Sequence, residues 1–294
     1  MRLRSLLFVP GDSERKMEKA KGIGADALIL DLEDAVAPTR KAEARGHVAA
    51  RLADDTPRGW RFWVRVNGLD TGFALDDLAA IVQPGLNGIL LPKANGAEDL
   101  QRLSYYLDVL EVRAGISPGS VRVAVVCTET PRAMLTHGGY ADGHPRLAAL
   151  TWGAEDLSSA IGAVTNTDLA GDWSFPYLAA RAMCLFTASA AGAAPIETLF
   201  ADYRDPTGLE RSCVQSRRDG FTGRVAIHPD QVEIINRCYL PSSEEVELAL
   251  RIVAAFDAAP ENGAIGLNGR MYDIPHLTLA KRTLALAEQT DDCC

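Results

Sequence analysis

GADALILDLEDAV, residues 24–36, holds an apolar run, Ala27–Leu30, that stops at an acidic group, Asp31, Glu33 and Asp34. The run is short and does not alternate apolar with polar residues. That is the pattern of a strand buried on both faces, and hence of a parallel sheet. Seven more runs repeat it: Ser5–Val9, Trp63–Val66, Gly88–Leu91, Val121–Val126, Ala148–Trp152, Pro195–Phe200 and Arg224–Ile227. Nearly every run ends in polar or charged residues, among them Arg65 and Asn67, Lys93, Glu129, Glu155 and Asp156, Asp202, and His228. Eight such strands alternating with helices predict an α/β protein, a (β/α)8 TIM barrel, with its active site at the carboxyl ends of the strands. The polar residues then converge on one mouth.

The segments between the runs carry helix signals. Leu100, Leu103, Leu107 and Leu110 form one apolar stripe at helical spacing. Thr130-Pro131, Asp205-Pro206 and His228-Pro229 place proline in a first turn, where its missing N–H has no intrahelical partner to lose. Thr130 and Asp205 are candidate caps, as is Asp12 or Ser13 for the first helix, which carries Arg15, Lys16 and Lys19. Residues 1–241 therefore read as a barrel catalytic domain and 242–294 as a C-terminal helical extension. In the extension, Val246, Leu250, Val253 and Phe256 are expected on one face of a capped helix. A Gly/Asn-rich stretch over 261–270 follows, then 271–276 and a last helix to about Gln289. From composition this tail is equally a packing helix or a lid.

The bulk numbers suit an ordinary globular chain: 294 residues, 47% hydrophobic and 23% charged. Lys plus Arg total 30 against 39 Asp plus Glu, a formal net charge of -9. That balance speaks against nucleic-acid binding but leaves room for an anionic substrate at a local basic patch. Cys127, Cys184, Cys213, Cys238, Cys293 and Cys294 show no CxxC or metal spacing and read as reduced thiols, the last two exposed. The basic start, Arg2 and Arg4, precedes too short an apolar stretch for a signal peptide, and residues 182–196 are too few to span a bilayer. A cytoplasmic location with no membrane partner is the expectation.

Glu129 and Asp156 follow consecutive strands, so their carboxylates should lie close together. Like charges at one spot push both pKa values up. A hard divalent cation relieves the repulsion, and Mg2+ needs only one or two protein carboxylates. The competing reading gives each carboxylate a helix cap or an arginine partner. Arg65 is suited to a bidentate grip on a substrate carboxylate, or to a structural ion pair with Asp31 or Glu33. Lys93 reads as a partner of the acidic group ahead of a Schiff-base lysine. His228 reads as structural ahead of a general base, and Glu155 as solvated.

Over its whole length the chain resembles the citrate lyase β-subunit family, within the wider group of HpcH/HpaI aldolases and malyl-CoA lyases. The resemblance is carried by LFVPGDSERKMEKA, GADALILDLEDAV, VRVNGLDT, GILLPKANGAEDL, the Thr128-Glu129-Thr130 run, WGAEDLSSAIGA, GRVAIHPDQVEIIN and NGRMYDIPH. It implies Mg2+ ligands at Glu129 and Asp156 and a substrate-carboxylate clamp at Arg65. It implies an acid/base at Asp273, supplied by the lid of an adjacent subunit in a trimer or dimer of trimers, which favours the lid reading of the tail. It further implies contacts of Arg15, Lys16 and Lys19 with CoA phosphates.

The activity so implied is Mg2+-dependent cleavage or formation of a short 3-hydroxyacyl-CoA, such as citramalyl-CoA or malyl-CoA. The products of cleavage are acetyl-CoA and a 2-oxo acid. The alternative is a citrate lyase β subunit acting on a citryl thioester of an acyl carrier protein. Three departures bear on this. DLEDAV lacks the histidine that pyruvate-type aldolases of the group carry after the second strand. Glu197 stands where relatives commonly have Asp, and Tyr272 where they have an aliphatic residue, and both bear on substrate shape. The triplet Ile227-His228-Pro229 is similar to that of stand-alone lyases.

Overall fold

A computed structural model describes residues 2–54 and 59–291. Eight strands close a parallel barrel in chain order. They are β1 (Ser5–Pro10), β2 (Ala27–Asp31), β3 (Arg61–Arg65), β4 (Gly88–Leu91), β5 (Arg122–Val126), β6 (Leu147–Thr151), β7 (Ala194–Glu197) and β8 (Gly223–Ala226). Helices α1 (Glu14–Ala20), α2 (Lys41–Leu52), α3 (Ala74–Ile81), α4 (Ala97–Ala114), α5 (Pro131–Thr136), α6 (Ala154–Ile161), α7 (Phe175–Ala190) and α8 (Pro206–Asp219) connect them. α9 (Asp230–Cys238) follows β8. The fold is a (β/α)8 barrel.

The strands lack alternation because both faces are covered. Leu6, Ala27, Ile29, Trp63, Leu90, Ala124, Val126, Ala149, Ile196 and Val225 belong to one buried cluster, while Leu28, Leu30, Phe62 and Val64 are equally buried outside it. Trp63 has Gly88 as its register partner, and a Cβ at Gly88 would lie 2.6 Å from the indole ring. The barrel accepts so large a side chain there because the facing strand offers none. Thr130 and Asp205 cap their proline-led helices, accepting from Ala133 N at 3.0 Å and Gly208 N at 2.9 Å. Ser13 caps α1, and Asp12 instead pairs with Arg40.

The structure corrects three sequence expectations in detail. The seventh strand stops at Glu197, and Asp202 lies exposed in the loop beyond it. The stripe of α4 is completed by Glu111, fully buried, and not by Leu110, because Arg146 waits opposite to neutralise it. In the extension Leu250 is 55% exposed, and the buried positions are Ala249, Ile252 and Phe256. That face packs with Ile265 and Ala280 in a small core of its own.

Two compact units divide the chain, Met1–Asn236 and Arg237–Cys294, beside the 241/242 boundary expected from the sequence. The second unit contains α10 (Ser243–Asp257), a hairpin of β9 (Ala264–Leu267) and β10 (Arg270–Asp273), and α11 (Ile274–Asp291). α10 starts with a capping box between Ser242 and Glu245. Asn268 and Gly269 turn the hairpin with φ of 51° and 73°, as an Asn-Gly two-residue turn requires. Cys127, Cys184, Cys213 and Cys238 are buried free thiols, while Cys293 and Cys294 lie outside the described residues. Among the described residues, no helix is long and apolar enough to cross a membrane.

Candidate functional site

The carboxyl ends of β2 through β6 bring one connected charge network together. Asp31 closes β2, and its two oxygens accept from Nε and Nη2 of Arg65, the last residue of β3, both at 2.7 Å. Asp31 also accepts from the backbone N–H groups of Glu33 and Ala35. The acid is thereby saturated and holds Arg65 in one orientation. Nη1 of Arg65 lies 3.0 Å from Glu33, and the ring of Phe8 covers the guanidinium at 4.6 Å. Two of its five N–H groups are hydrogen-bonded, both to Asp31, and the Glu33 contact is an ion pair without hydrogen-bond geometry, so donors remain on Nη1 and Nη2. The ion pair expected as the competitor is present, and it orients the arginine without exhausting it. Lys41 fixes the acidic loop from behind, donating to the carbonyls of Leu32 and Glu33 at 2.7 Å.

Glu129 follows β5 and is 5% exposed. Burial, with added repulsion from Asp156 and Glu33, pushes its carboxyl up to about 8 against the opposing pull of the Lys93 N–H and Arg65. Its Oε2 accepts the Lys93 N–H at 2.5 Å. Its stem lies against Gly153, where a Cβ would come within 2.8 Å of Cγ and 3.1 Å of Oε1. Gly153 N in turn donates to Thr128 Oγ1 at 3.1 Å. The β6–α6 turn and the β5 end are therefore shaped to each other, and Asp156 enters on the first turn of α6.

Lys93 joins both. Its ammonium pairs with Glu33, with Asp34 at 3.0 Å and with Asp156 at 3.4 Å. These carboxylates outweigh burial and raise its pKa, which favours the charged ammonium over the neutral amine that a Schiff base needs. Glu155, beside Asp156, is exposed and accepts from Asn166 Nδ2. Among the described residues, no group of three or more His, Cys, Asp or Glu side chains is placed to hold a metal ion by itself. Glu129 and Asp156 are a pair, able to contribute two ligands and leave the remaining positions to water or substrate.

Arg15 and Lys16 are exposed on α1, the helix that follows the carboxyl end of β1. Glu197 is buried and fully engaged, accepting from Trp152 Nε1 at 2.6 Å and Arg181 Nε at 2.8 Å. It is a structural anchor, which removes it as a direct determinant of substrate shape. His228 stacks on Tyr203 at 4.8 Å and accepts from Asp230 N. Asp273 belongs to the second unit, where it ends β10 with His276 Nδ1 at 2.5 Å from its Oδ1. That bond holds its carboxyl below the ordinary range. Tyr272 packs edge-on against the same imidazole at 5.3 Å. Lys93 pairs with the acidic group as the sequence suggested, but its backbone bond to Glu129 and its contact with Asp156 were not foreseen, since nothing in a Pro-Lys-Ala stretch signals a φ of 51°.

Known proteins resemble this chain along nearly all of it. A (3S)-malyl-CoA thioesterase of Cereibacter sphaeroides (strain KD131) is 36% identical over 288 residues, covering 97% of this chain and 94% of that protein. The mitochondrial citramalyl-CoA lyase of Homo sapiens is 31% identical over 300 residues, covering 97% and 85%. The crystal structure of CitE from Mycobacterium tuberculosis, in complex with magnesium, acetoacetate and coenzyme A, matches with a TM-score of 0.76 at 30% identity, covering 97% and 98%. Residues 4–229 match the family described as HpcH/HpaI aldolase/citrate lyase. Barrel, mouth and sequence agree, and the chain belongs to the HpcH/HpaI aldolase/citrate lyase family.

Proposed function

We propose that this chain is a magnesium-dependent carbon–carbon lyase acting on a short 3-hydroxyacyl-CoA, with citramalyl-CoA or malyl-CoA as the model substrates. The observation that carries this is a buried carboxylate, Glu129, set beside Asp156 and an arginine with donors left on Nη1 and Nη2. Glu129 is buried and Asp156 partly exposed, and their oxygen donors fit Mg2+. When bound, Mg2+ supplies Lewis-acid stabilisation of negative charge on substrate oxygen. Glu129 and Asp156 hold it. The free Nη1 and Nη2 donors of Arg65 grip the carboxylate of the acid portion and fix its orientation against the thioester portion. Asp273, ionised through His276, takes a proton from the acetyl-CoA methyl carbon in condensation and returns one in cleavage. In this reading Asp273 serves the site of an adjacent subunit in a homo-trimer, and Arg15 and Lys16 meet CoA phosphate.

A thioester-hydrolysing reading is favoured by the name of the 36% identical relative. Product analysis separates the two. Incubation with malyl-, citramalyl- and 3-hydroxy-3-methylglutaryl-CoA is expected to yield a keto product and acetyl-CoA in equal amounts, or acetoacetate and acetyl-CoA from the last. The yield is lost in EDTA and restored by Mg2+. Free CoA with no keto product supports hydrolysis, and full cleavage in EDTA refutes the metal reading. The citryl-carrier alternative fails if the purified chain cleaves free CoA thioesters.

Gly153→Ala tests the positioning of Glu129 with every charged group retained. The backbone φ of Gly153 is -121°, which any residue adopts, so only the clash with Glu129 is at issue. Displacing the carboxylate by about an ångström is expected to cost on the order of 10²-fold in kcat/KM. Overpacking at the site adds about 1–3 kcal/mol of instability. Steady-state kinetics with a thermal melt checks both.

A further inference from the structure

Lys93 has a left-handed backbone, with φ of 51°. That conformation is uncommon for a residue with a Cβ and persists where surroundings over-determine it. Here two separate attachments do so. The backbone N–H is spent on Glu129, and the ammonium is held by Glu33, Asp34 and Asp156. The three carboxylates are not equivalent. The Glu33 side chain is 5% exposed and Asp156 is 33% exposed, and the Asp156 contact, at 3.4 Å, is the longest. The bond most easily given up is therefore the one to a proposed metal ligand.

Resting on the metal reading above, we propose that the Lys93 ammonium is a resident counter-ion of this carboxylate cluster, which an incoming divalent cation displaces from Asp156. The ammonium and a divalent cation repel when they share one carboxylate. The lysine keeps Glu33 and Asp34 after the exchange, so it remains in the site and continues to limit how tightly the cation is held. Its N–H keeps Glu129 in place throughout. The residue thus acts through the two carboxylates and positions them.

Lys93→Gly isolates the side chain. Glycine adopts the left-handed conformation freely and retains the N–H to Glu129. The full-length chain, stripped with EDTA, is titrated with Mg2+ by calorimetry at low salt. The dissociation constant of Lys93→Gly is expected to fall about tenfold, or about 1.4 kcal/mol. An unchanged or higher constant overturns the assignment of Lys93 alone. Absence of binding to the unaltered chain overturns the metal reading and this inference with it. A second measurement needs no variant. Trace acetylation of Lys93, followed by mass spectrometry against the exposed Lys281, is expected to speed up several-fold when Mg2+ is added. An equal or slower rate overturns the proposal.

Discussion

Glu129→Ala is expected to abolish magnesium-dependent turnover, with a loss of at least about 10³-fold in kcat/KM, or about 4 kcal/mol of transition-state stabilisation. The side chain is buried and its Oε2 is already held by Lys93 N. Glu129→Gln is the sharper variant, because an amide keeps the shape and the acceptor for Lys93 N while removing the charge. It should be nearly as inactive as alanine. It should also melt higher than the parent in the metal-free state at alkaline pH. A carboxyl raised to about 8 binds its proton more tightly in the folded chain than in the unfolded one. Its contribution to stability is present below about pH 4.5 and is lost as pH rises through 8. The amide has no such loss. Melting curves at pH 6 and pH 8.5, in EDTA, measure the difference. Retention of metal-dependent turnover by Glu129→Gln would remove the proposed ligand.

The largest stability effect is expected away from the mouth, at Glu111 on α4. Its carboxylate is fully buried and accepts from Gly119 N at 2.7 Å and Val121 N at 2.8 Å. It takes both arms of Arg146, at 2.8 Å and 2.6 Å, and Arg146 is itself 3% exposed. Arg146 also donates to Ser104 and to the carbonyl of Val121. Glu111→Ala leaves the buried Arg146 guanidinium with only the half-exposed Asp108 as its ion-pair partner and releases the loop that leads into β5. The expected cost is about 3–5 kcal/mol, a fall in Tm of roughly 6–20 °C. Replacing both partners by apolar residues of similar volume should cost much less, because no buried charge is then left unpaired and Asp108 is half-exposed to water. The Arg146 ion pair and the two backbone N–H groups hold the Glu111 carboxyl below its ordinary value. The stability it contributes is present above about pH 4.5 and is lost as pH falls through its lower folded value. Glu111→Ala should therefore flatten the acid limb of the melting curve. A variant that melts within 2 °C of the parent would show that the pair adds nothing.

Strand positions were legible to within a few residues because burial on both faces erases alternation, a signal that each run carries locally. That Glu129 and Asp156 lie near one another was legible for a related reason: consecutive strands of a barrel are neighbours, so strand ends are too. Asp202 was misplaced because the apolar residues after Glu197 prolong the run without prolonging the strand. The buried face of α10 was displaced because Leu250 and Ile252 are equally apolar, and only the packing of Ile265 and Ala280 chooses between them. The Asn268-Gly269 hairpin carried a readable turn signal that the loop-like composition around it hid.

Local composition thus decided the number, order and burial of the strands, and it set acidic and basic side chains at their carboxyl ends. It narrowed the partners of Arg65 and Lys93 to the acidic group after β2, but it could not decide which donor meets which oxygen. Arg65 belongs to Asp31 across 34 positions of chain, Lys93 to Glu33 across 60, and Glu129 to Lys93 across 36. Such pairings depend on strand register, on closure of the barrel and, at Lys93, on a backbone rotation. Periodicity is a property of neighbouring residues, whereas these contacts exist only after distant segments have been brought side by side.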